Sequence, residues 1–417
     1  MRATWLSLLS LAVSGLTVAQ ESDEAALAIA DRTSSQPTVR RACIEYAEAA
    51  AIDTTYSDGS PSRTGGRASA NIRCDGAFAS GWRGVLSDRF DEFWARGISA
   101  TSVNTLKEAY VSFRPSGPFL VDAGRINVRQ GVGLAYNPTD YFKADAVRAV
   151  ISIDPETLRD ERMGTLMGRF QGLWSSGSLT AIFAPRVAAR PTDAALNPDF
   201  GATNGRSRWL LTWSQRWSQD FQPQISVTGT EHGSPQAGLD LTRLVNRATV
   251  AYLEWSGGRS APGMAIPSGY DMETAAFRSR LSTGLTYTTS YKLSMTLEYE
   301  YDEAAPGKEE WAAIRRGPIP SYVRYRKYAA AAGDLATRQN VFGYAHWDDV
   351  GIDRLGLTAF ARFDPYDHSR VIWAEARYHW EHAGIAVQWQ HSSGDATSDF
   401  VSWPTHQSWV ALIDYYF

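Results

Sequence analysis

Apolar and polar residues alternate with a period of two through most of this chain. In Lys292 to Tyr301, Leu293, Met295, Leu297, Tyr299 and Tyr301 share one side, while Lys292, Ser294, Thr296, Glu298 and Glu300 share the other. Successive side chains of a β-strand point to opposite faces, so this stretch predicts a two-faced strand. Arg208 to Trp217 repeats the pattern, with Trp209, Leu211, Trp213 and Trp217 set against Arg208, Thr212, Ser214 and Arg216. Phe221 to Thr230 does the same, with Ile225 and Val227 against Gln222, Gln224, Ser226, Thr228 and Thr230. The final stretch puts Trp409, Ala411, Ile413, Tyr415 and Phe417 on one face and Ser408, Asp414 and Tyr416 on the other, blurred by Val410 and Leu412.

Strand-like segments fall near 42–53, 64–77, 80–92, 104–115, 118–128, 162–174, 177–188, 206–217, 220–231, 236–244, 247–257, 275–286, 290–302, 335–347, 353–364, 368–380, 382–393 and 405–417. Each is long enough to cross a bilayer when tilted. The joints after even-numbered segments are tight, as at Ser116-Gly117, Ser175-Ser176, Ser218-Gln219 and Glu381. Those after odd-numbered ones are often long, as at Gly131 to Glu161, Ala189 to Gly205, Gly258 to Glu273 and Glu303 to Asp334. Outer-membrane barrels alternate short periplasmic turns with longer external loops in this way. The joints near Ser234 and Asp367 break the rule, being external yet short. A soluble sandwich shows the same period, but about eighteen long strands without a helical layer suit a closed cylinder better. The fold predicted over 42–417 is therefore all-β: a single transmembrane antiparallel up-and-down barrel of about 18 strands.

The first residues fix the compartment. Arg2, the apolar run Ala3 to Val18 and the small-residue site Thr17-Val18-Ala19 read as a secretory signal, 1–19, cleaved near Ala19. Residues 20–41 begin acidic and helix-prone and break at Ser34-Ser35-Gln36-Pro37, which predicts a short periplasmic helix and a linker. No later apolar run is long enough for a membrane helix, and mean hydropathy is −0.30. Barrels spread their apolar signal over alternating positions, so this does not argue against a membrane protein. Aromatic content of 12%, with 15 Trp and 19 Tyr, suits interfacial belts. The partners implied are outer-membrane lipid, lipopolysaccharide and the barrel-assembly machinery, which would read the last strand ending in Phe417. Cys43 and Cys74 lie past the export signal, at the periplasmic end of neighbouring segments, and predict a structural disulfide. A net charge of −4 argues against a nucleic-acid binder.

With polar faces turned inward, the bore collects about fifteen cationic positions to about nine anionic ones. The predicted lining includes Arg125, Asn127, Arg129, Asp140, Arg148, Arg169, Arg208, Arg278, Arg280, Glu298 and Arg338. A narrow tube lined by one sign of charge concentrates the opposite ion, which predicts passage of polar, mainly anionic solutes. The alternative is that these arginines pair with bore carboxylates and fill a closed barrel. The densest polar stretch is Ala123 to Asp140: Arg125, Asn127 and Arg129 share a face, a Gly-rich segment and Asn137-Pro138-Thr139-Asp140 follow, and Lys143, Asp145 and Arg148 continue the charge. A loop of this length either folds inward as a constriction or lies outside as a lid, and the turn formers and charges here favour the inward course.

The Ala123-Gly124-Arg125 strand, the Gly-rich segment after it, the aromatic C-terminal strand and the strand count together resemble large proteobacterial outer-membrane channels, loosely those of the alginate-export type and related porin-like barrels. The resemblance implies an anion conduit with an arginine-rich lumen, in which Arg125 and Arg129 line the pore. Ile126 stands where a polar residue would suit such a pore better, so no particular substrate follows. An outer-membrane hydrolase is the rival class, with His391, Ser392 and Ser393, or His379, Glu381 and His382, as its candidates. Neither set follows a G-x-S-x-G elbow, and His379 with His382 is too small a set for a metal. No enzyme, cofactor or metal is therefore expected. The third class is a structural or assembly barrel plugged by the N-terminal segment or by residues 131–161.

Overall fold

The computed structural model describes residues 43–56, 60–115, 117–192, 194–265, 275–401 and 405–417. The signal sequence and the predicted N-terminal helix lie outside the described residues.

Eighteen strands follow in order: β1 (Ile44–Tyr56), β2 (Arg63–Ala79), β3 (Trp82–Ala95), β4 (Ile98–Phe113), β5 (Phe119–Ile126), β6 (Thr165–Trp174), β7 (Gly177–Ala184), β8 (Arg208–Gln215), β9 (Gln224–Thr230), β10 (Gln236–Asn246), β11 (Thr249–Ser260), β12 (Ala276–Thr288), β13 (Leu293–Asp302), β14 (Gln339–Trp347), β15 (Leu355–Phe363), β16 (Arg370–His379), β17 (Ala383–Ser393) and β18 (Thr405–Tyr416). Among the described residues four helices occupy loops: α1 (Pro155–Asp160), α2 (Phe200–Thr203), α3 (Lys308–Arg316) and α4 (Ile319–Ala332). Each strand pairs antiparallel with its sequence neighbours, and β18 returns to β1 with Ala47 opposite Tyr415 and Ala51 opposite Ala411. The sheet thus closes on itself and leaves no free edge, the condition for a β-structure in hydrocarbon. Among the described residues no helix is long and apolar enough to cross a membrane.

Burial runs inside out. Along β13, Met295, Leu297 and Tyr299 are exposed, whereas Glu298 and Glu300 are fully buried. In β8, Trp209 and Leu211 are exposed while Thr212 and Ser214 are buried. Grease faces out and charge faces the bore. Aromatics gather where the strands turn: Trp82 sits between Phe78 and Phe113, with centroids 6.3 and 4.5 Å away, beside the β2–β3 turn. Rings at that level match an interfacial girdle.

The predicted segments agree with these strands except at their ends. The largest difference is β4, which starts at Ile98 and not near residue 104. Gly97, at φ +78°, closes a tight turn after β3, and the small residues Ser99 to Ser102 carry no large apolar alternation from which a strand would be read. The short joints near Ser234 and Asp367 are short loops in the fold as well. Cys43 and Cys74 form the predicted disulfide across β1 and β2, Cα atoms 4.6 Å apart, next to the Arg73 N–H that donates to the Cys43 carbonyl.

Candidate functional site

The chain between β5 and β6, residues 127–164, turns into the bore. Two wall carboxylates hold it there, Glu254 on β11 and Glu298 on β13, both fully buried. Glu254 accepts the backbone N–H groups of Val132 and Gly133, each at 2.8 Å, and of Thr139 at 2.7 Å. It also accepts the Thr139 hydroxyl at 2.9 Å and Asn137 Nδ2 at 3.2 Å. Glu298 accepts the N–H groups of Leu134, Ala135 and Tyr136 at 2.6, 3.2 and 2.9 Å, and the Tyr252 hydroxyl at 2.6 Å. Successive amides curled around an oxyanion form a backbone nest, and charge-assisted bonds of this kind are about twice as strong as neutral ones. Gly131 permits the approach: it sits at φ +90°, and a Cβ there would lie 2.5 Å from a Glu254 oxygen.

The rest of the segment is fixed by mixed chemistry. Arg162 pairs with Asp140 at 2.8 Å, Lys143 with Asp334 at 3.3 Å, and Thr139 Oγ1 lies 2.9 Å from Asp240, sharing its one proton between that carboxylate and Glu254. On its apolar side Ile126, Val128 and Phe142 pack against Met167, Ile182, Ala184 and Leu210. Ile126 is apolar because it belongs to this seam between segment and wall. α1 hangs within the bore: Pro155 occupies its first turn, and Asp154 caps it by accepting the Thr157 N–H at 3.0 Å. Beneath the segment lies a cavity of about 880 Å³ between α1 and the wall, with Tyr252, Tyr344, Trp373, Glu375, Arg377 and Asp414 among its lining.

Most of the predicted site residues are bound up in the framework. Arg125 is buried, donates to the carbonyls of Leu106, Pro198 and Asp199 and to Thr203, and lies 4.8 Å over the Phe200 ring. Arg148 donates to the carbonyls of Ala194 and Asn197 at 2.7 and 3.0 Å. Arg208 bonds the carbonyls of Tyr141 and Thr203, and Arg278 those of Ser260 and Glu303. Arg129 pairs with Asp160, Arg169 with Asp122 at 2.8 Å, Arg338 with Glu310 at 3.2 Å, and Arg280 with Asp302 and Asp334 at 3.2 and 3.4 Å. Asn127 donates to the Arg159 carbonyl at 3.0 Å and accepts from Arg162 at 2.9 Å. None of the eleven predicted residues lines the cavity. Glu254, Asp240 and Tyr252 complete the latch but are absent from the predicted set. A sequence shows a carboxylate as a charge and does not show which amides it accepts.

Of the rival hydrolase candidates, His391 and Ser392 are placed apart. His391 stacks on Trp389 with centroids 5.9 Å apart, while Ser392 is buried on the opposite face of β17. Among the described residues no group of three His, Cys, Asp or Glu is placed to hold a metal.

No family model matches this sequence, and no curated protein matches it. Solved structures do. Pseudomonas aeruginosa OccK2 (OpdF) aligns at TM-score 0.57 with 9% identity, covering 91% of this chain and 98% of its own. It is also known in complex with glucuronate. OccK5 (OpdH) of the same organism gives TM-score 0.55 at 7% identity over 90% of this chain and 97% of its own. Acinetobacter baumannii OccAB1 gives 0.53 at 10% over 92% and 98%. At such identities the likeness is one of architecture, and by it the chain has the closed eighteen-stranded barrel fold of Gram-negative outer-membrane porins.

Proposed function

We propose that this protein is an outer-membrane channel for small polar solutes, with residues 131–161 as its constriction. The observation that carries the reading is the pair Glu254 and Glu298, which spend two buried carboxylates on holding backbone across the bore. A barrel that needed only filling would reach the same density with apolar side chains at lower desolvation cost. The exposed apolar wall supports an outer-membrane location in contact with lipid and lipopolysaccharide, with assembly by the barrel-insertion machinery, and the Arg2 to Ala19 stretch that reads as a secretory signal agrees with it.

Support for an anion preference is thinner than the arginine count suggests. Arg169, Arg280, Arg362 and Arg377 are each neutralised by a carboxylate, and Arg125, Arg208 and Arg278 are turned to carbonyls. Paired charges leave little field to steer an ion. What supports a polar solute is the cavity lining itself, which brings together tyrosines, carboxylates and guanidinium groups. The glucuronate bound by OccK2 is a solute of this general kind, rich in hydroxyls.

A second reading, a plugged scaffold, is favoured by the same inserted segment. Single-channel recording in planar bilayers separates the two. Discrete ohmic steps are expected, and a correctly folded barrel that inserts but stays silent would overturn the channel reading.

A further inference from the structure

The cavity beneath the inserted segment holds seven carboxylates and three guanidinium groups, and the cations around it do not cancel all seven. Arg67 pairs with Glu48, and Arg377 spans Glu375 and Asp414 at 2.9 and 2.7 Å. Glu161 takes Arg89 and Lys107, and Asp160 takes Arg129. Two carboxylates remain, Asp154 and Glu156, which have no ion pair among the described residues. The nearest guanidinium on their own helix, Arg159, is turned away to the carbonyls of Gln130 and Gly133, at 2.9 and 3.4 Å.

A second observation singles out Asp154. It is 8% exposed, and its Oδ2 accepts both the N–H and the hydroxyl of Thr157, which accounts for the capping role. Its Oδ1 has no hydrogen-bond partner. A carboxylate oxygen withheld from water is costly unless something donates to it. Tyr344 faces the same space, together with Trp373. Carboxylates beside an aromatic ring form a receptor for an ammonium group, since the ring face adds to the ionic attraction.

We propose that this cavity is a binding site for organic ammonium solutes, whose N–H groups donate to the carboxylates of Asp154 and Glu156, with Asp154 turning its unpartnered oxygen to the solute, beside the ring of Tyr344. The assignment rests on the channel reading for its biological meaning, and it reverses the sign of solute expected from the arginine content. Its geometry stands without that reading.

The test uses 1,4-diaminobutane as probe and glucuronate as comparator, with the full-length barrel in detergent and Asp154→Asn/Glu156→Gln as the variant. Asn still caps a helix and Gln keeps the shape of Glu, so the barrel is expected to fold, as its heat-modifiable mobility on gels checks. Calorimetric titration should show saturable binding of the diamine to the wild type, about tenfold weaker binding to the variant, and no such loss for glucuronate. Absent diamine binding, or equal affinity in both proteins, would overturn the site. In bilayers under a salt gradient the wild type should reverse on the cation-selective side, and the variant should shift towards zero. A silent barrel that still binds the diamine sinks the channel reading and leaves the site standing, whereas a conducting barrel that binds none does the opposite.

Discussion

The backbone N–H of Tyr136 lies 2.9 Å from Glu298 Oε1, and the same carboxylate takes the N–H groups of the two residues before it. Three consecutive amides on one buried anion leave that segment a single place in the bore. Glu298→Gln keeps the size but removes the charge, and it turns an NH₂ towards donors that need an acceptor. Leaving buried donors unmet costs about 1–3 kcal/mol. The inserted segment should loosen, with larger and noisier single-channel steps and faster protease cleavage within residues 131–161. Glu254→Gln should act alike, because it frees Val132, Gly133 and Thr139. Unchanged conductance and cleavage in both variants would mean that the segment does not limit the pore.

The outer wall carries a carboxylate at mid-height. Asp88 on β3 projects from the same face as Phe90 and Trp94, and both its oxygens lie within 3.0 Å of Asn104 Nδ2 on β4. It sits midway between the aromatic turn at Trp82 and the opposite end of the strand, a height at which a carboxylate facing lipid is unfavourable. Asp88→Leu should therefore raise stability by about 1–2 kcal/mol in lipid, the order expected for removing such a charge, as read from urea unfolding in bilayers. A loss of stability would show that this face meets something other than acyl chains.

The difference between what was legible and what was not follows from the range of each interaction. Strand identity is local, so Leu293 to Tyr301 is legible through its own alternation, and so are β8 and β9. Pairing of bore charges is not local. Arg362 meets Glu300, and Arg280 meets Asp334, across gaps that depend on registers set by the whole cylinder. Counting arginines therefore overstated the free positive charge. The inward course of residues 131–161 was readable from Gly131 and Gly133 with the turn formers after them, but the carboxylates that receive it lie more than a hundred residues away. Asp154 was hidden because a helix cap and a ligand anchor look alike in a sequence.

The Cys43–Cys74 bridge closes a span of 31 residues in chain separation. By the chain-entropy account a loop of that size contributes about 3–4 kcal/mol through the unfolded state. Since β1 and β2 are already paired from Ile44 to Ile72 up to Thr54 and Arg63, the native barrel does not need the bridge for its register. Cys43→Ser/Cys74→Ser should unfold at lower temperature, yet conduct as the wild type does. Altered conductance would show that the bridge shapes the bore.

The external helices offer a pH test, because their anchor is a group of carboxylates beyond the strands. Asp399 pairs with Arg326 of α4, Asp367 accepts the indole N–H of Trp311 of α3 at 2.8 Å, and Asp364 is fully buried beside them. Burial first, and then the charges of Asp367 and Asp399, push the Asp364 carboxyl up to about 7. In the unfolded chain it titrates near about 4. Between those values the folded cluster holds a proton that the unfolded chain has lost, so stability falls as pH rises through that window and levels off above about 7. Hydrogen exchange of residues 311–330, corrected for the intrinsic pH dependence, should quicken from pH 5 to pH 7. Asp364→Asn cannot ionise and should flatten the profile, and a slope that survives the substitution would place the responsible group elsewhere.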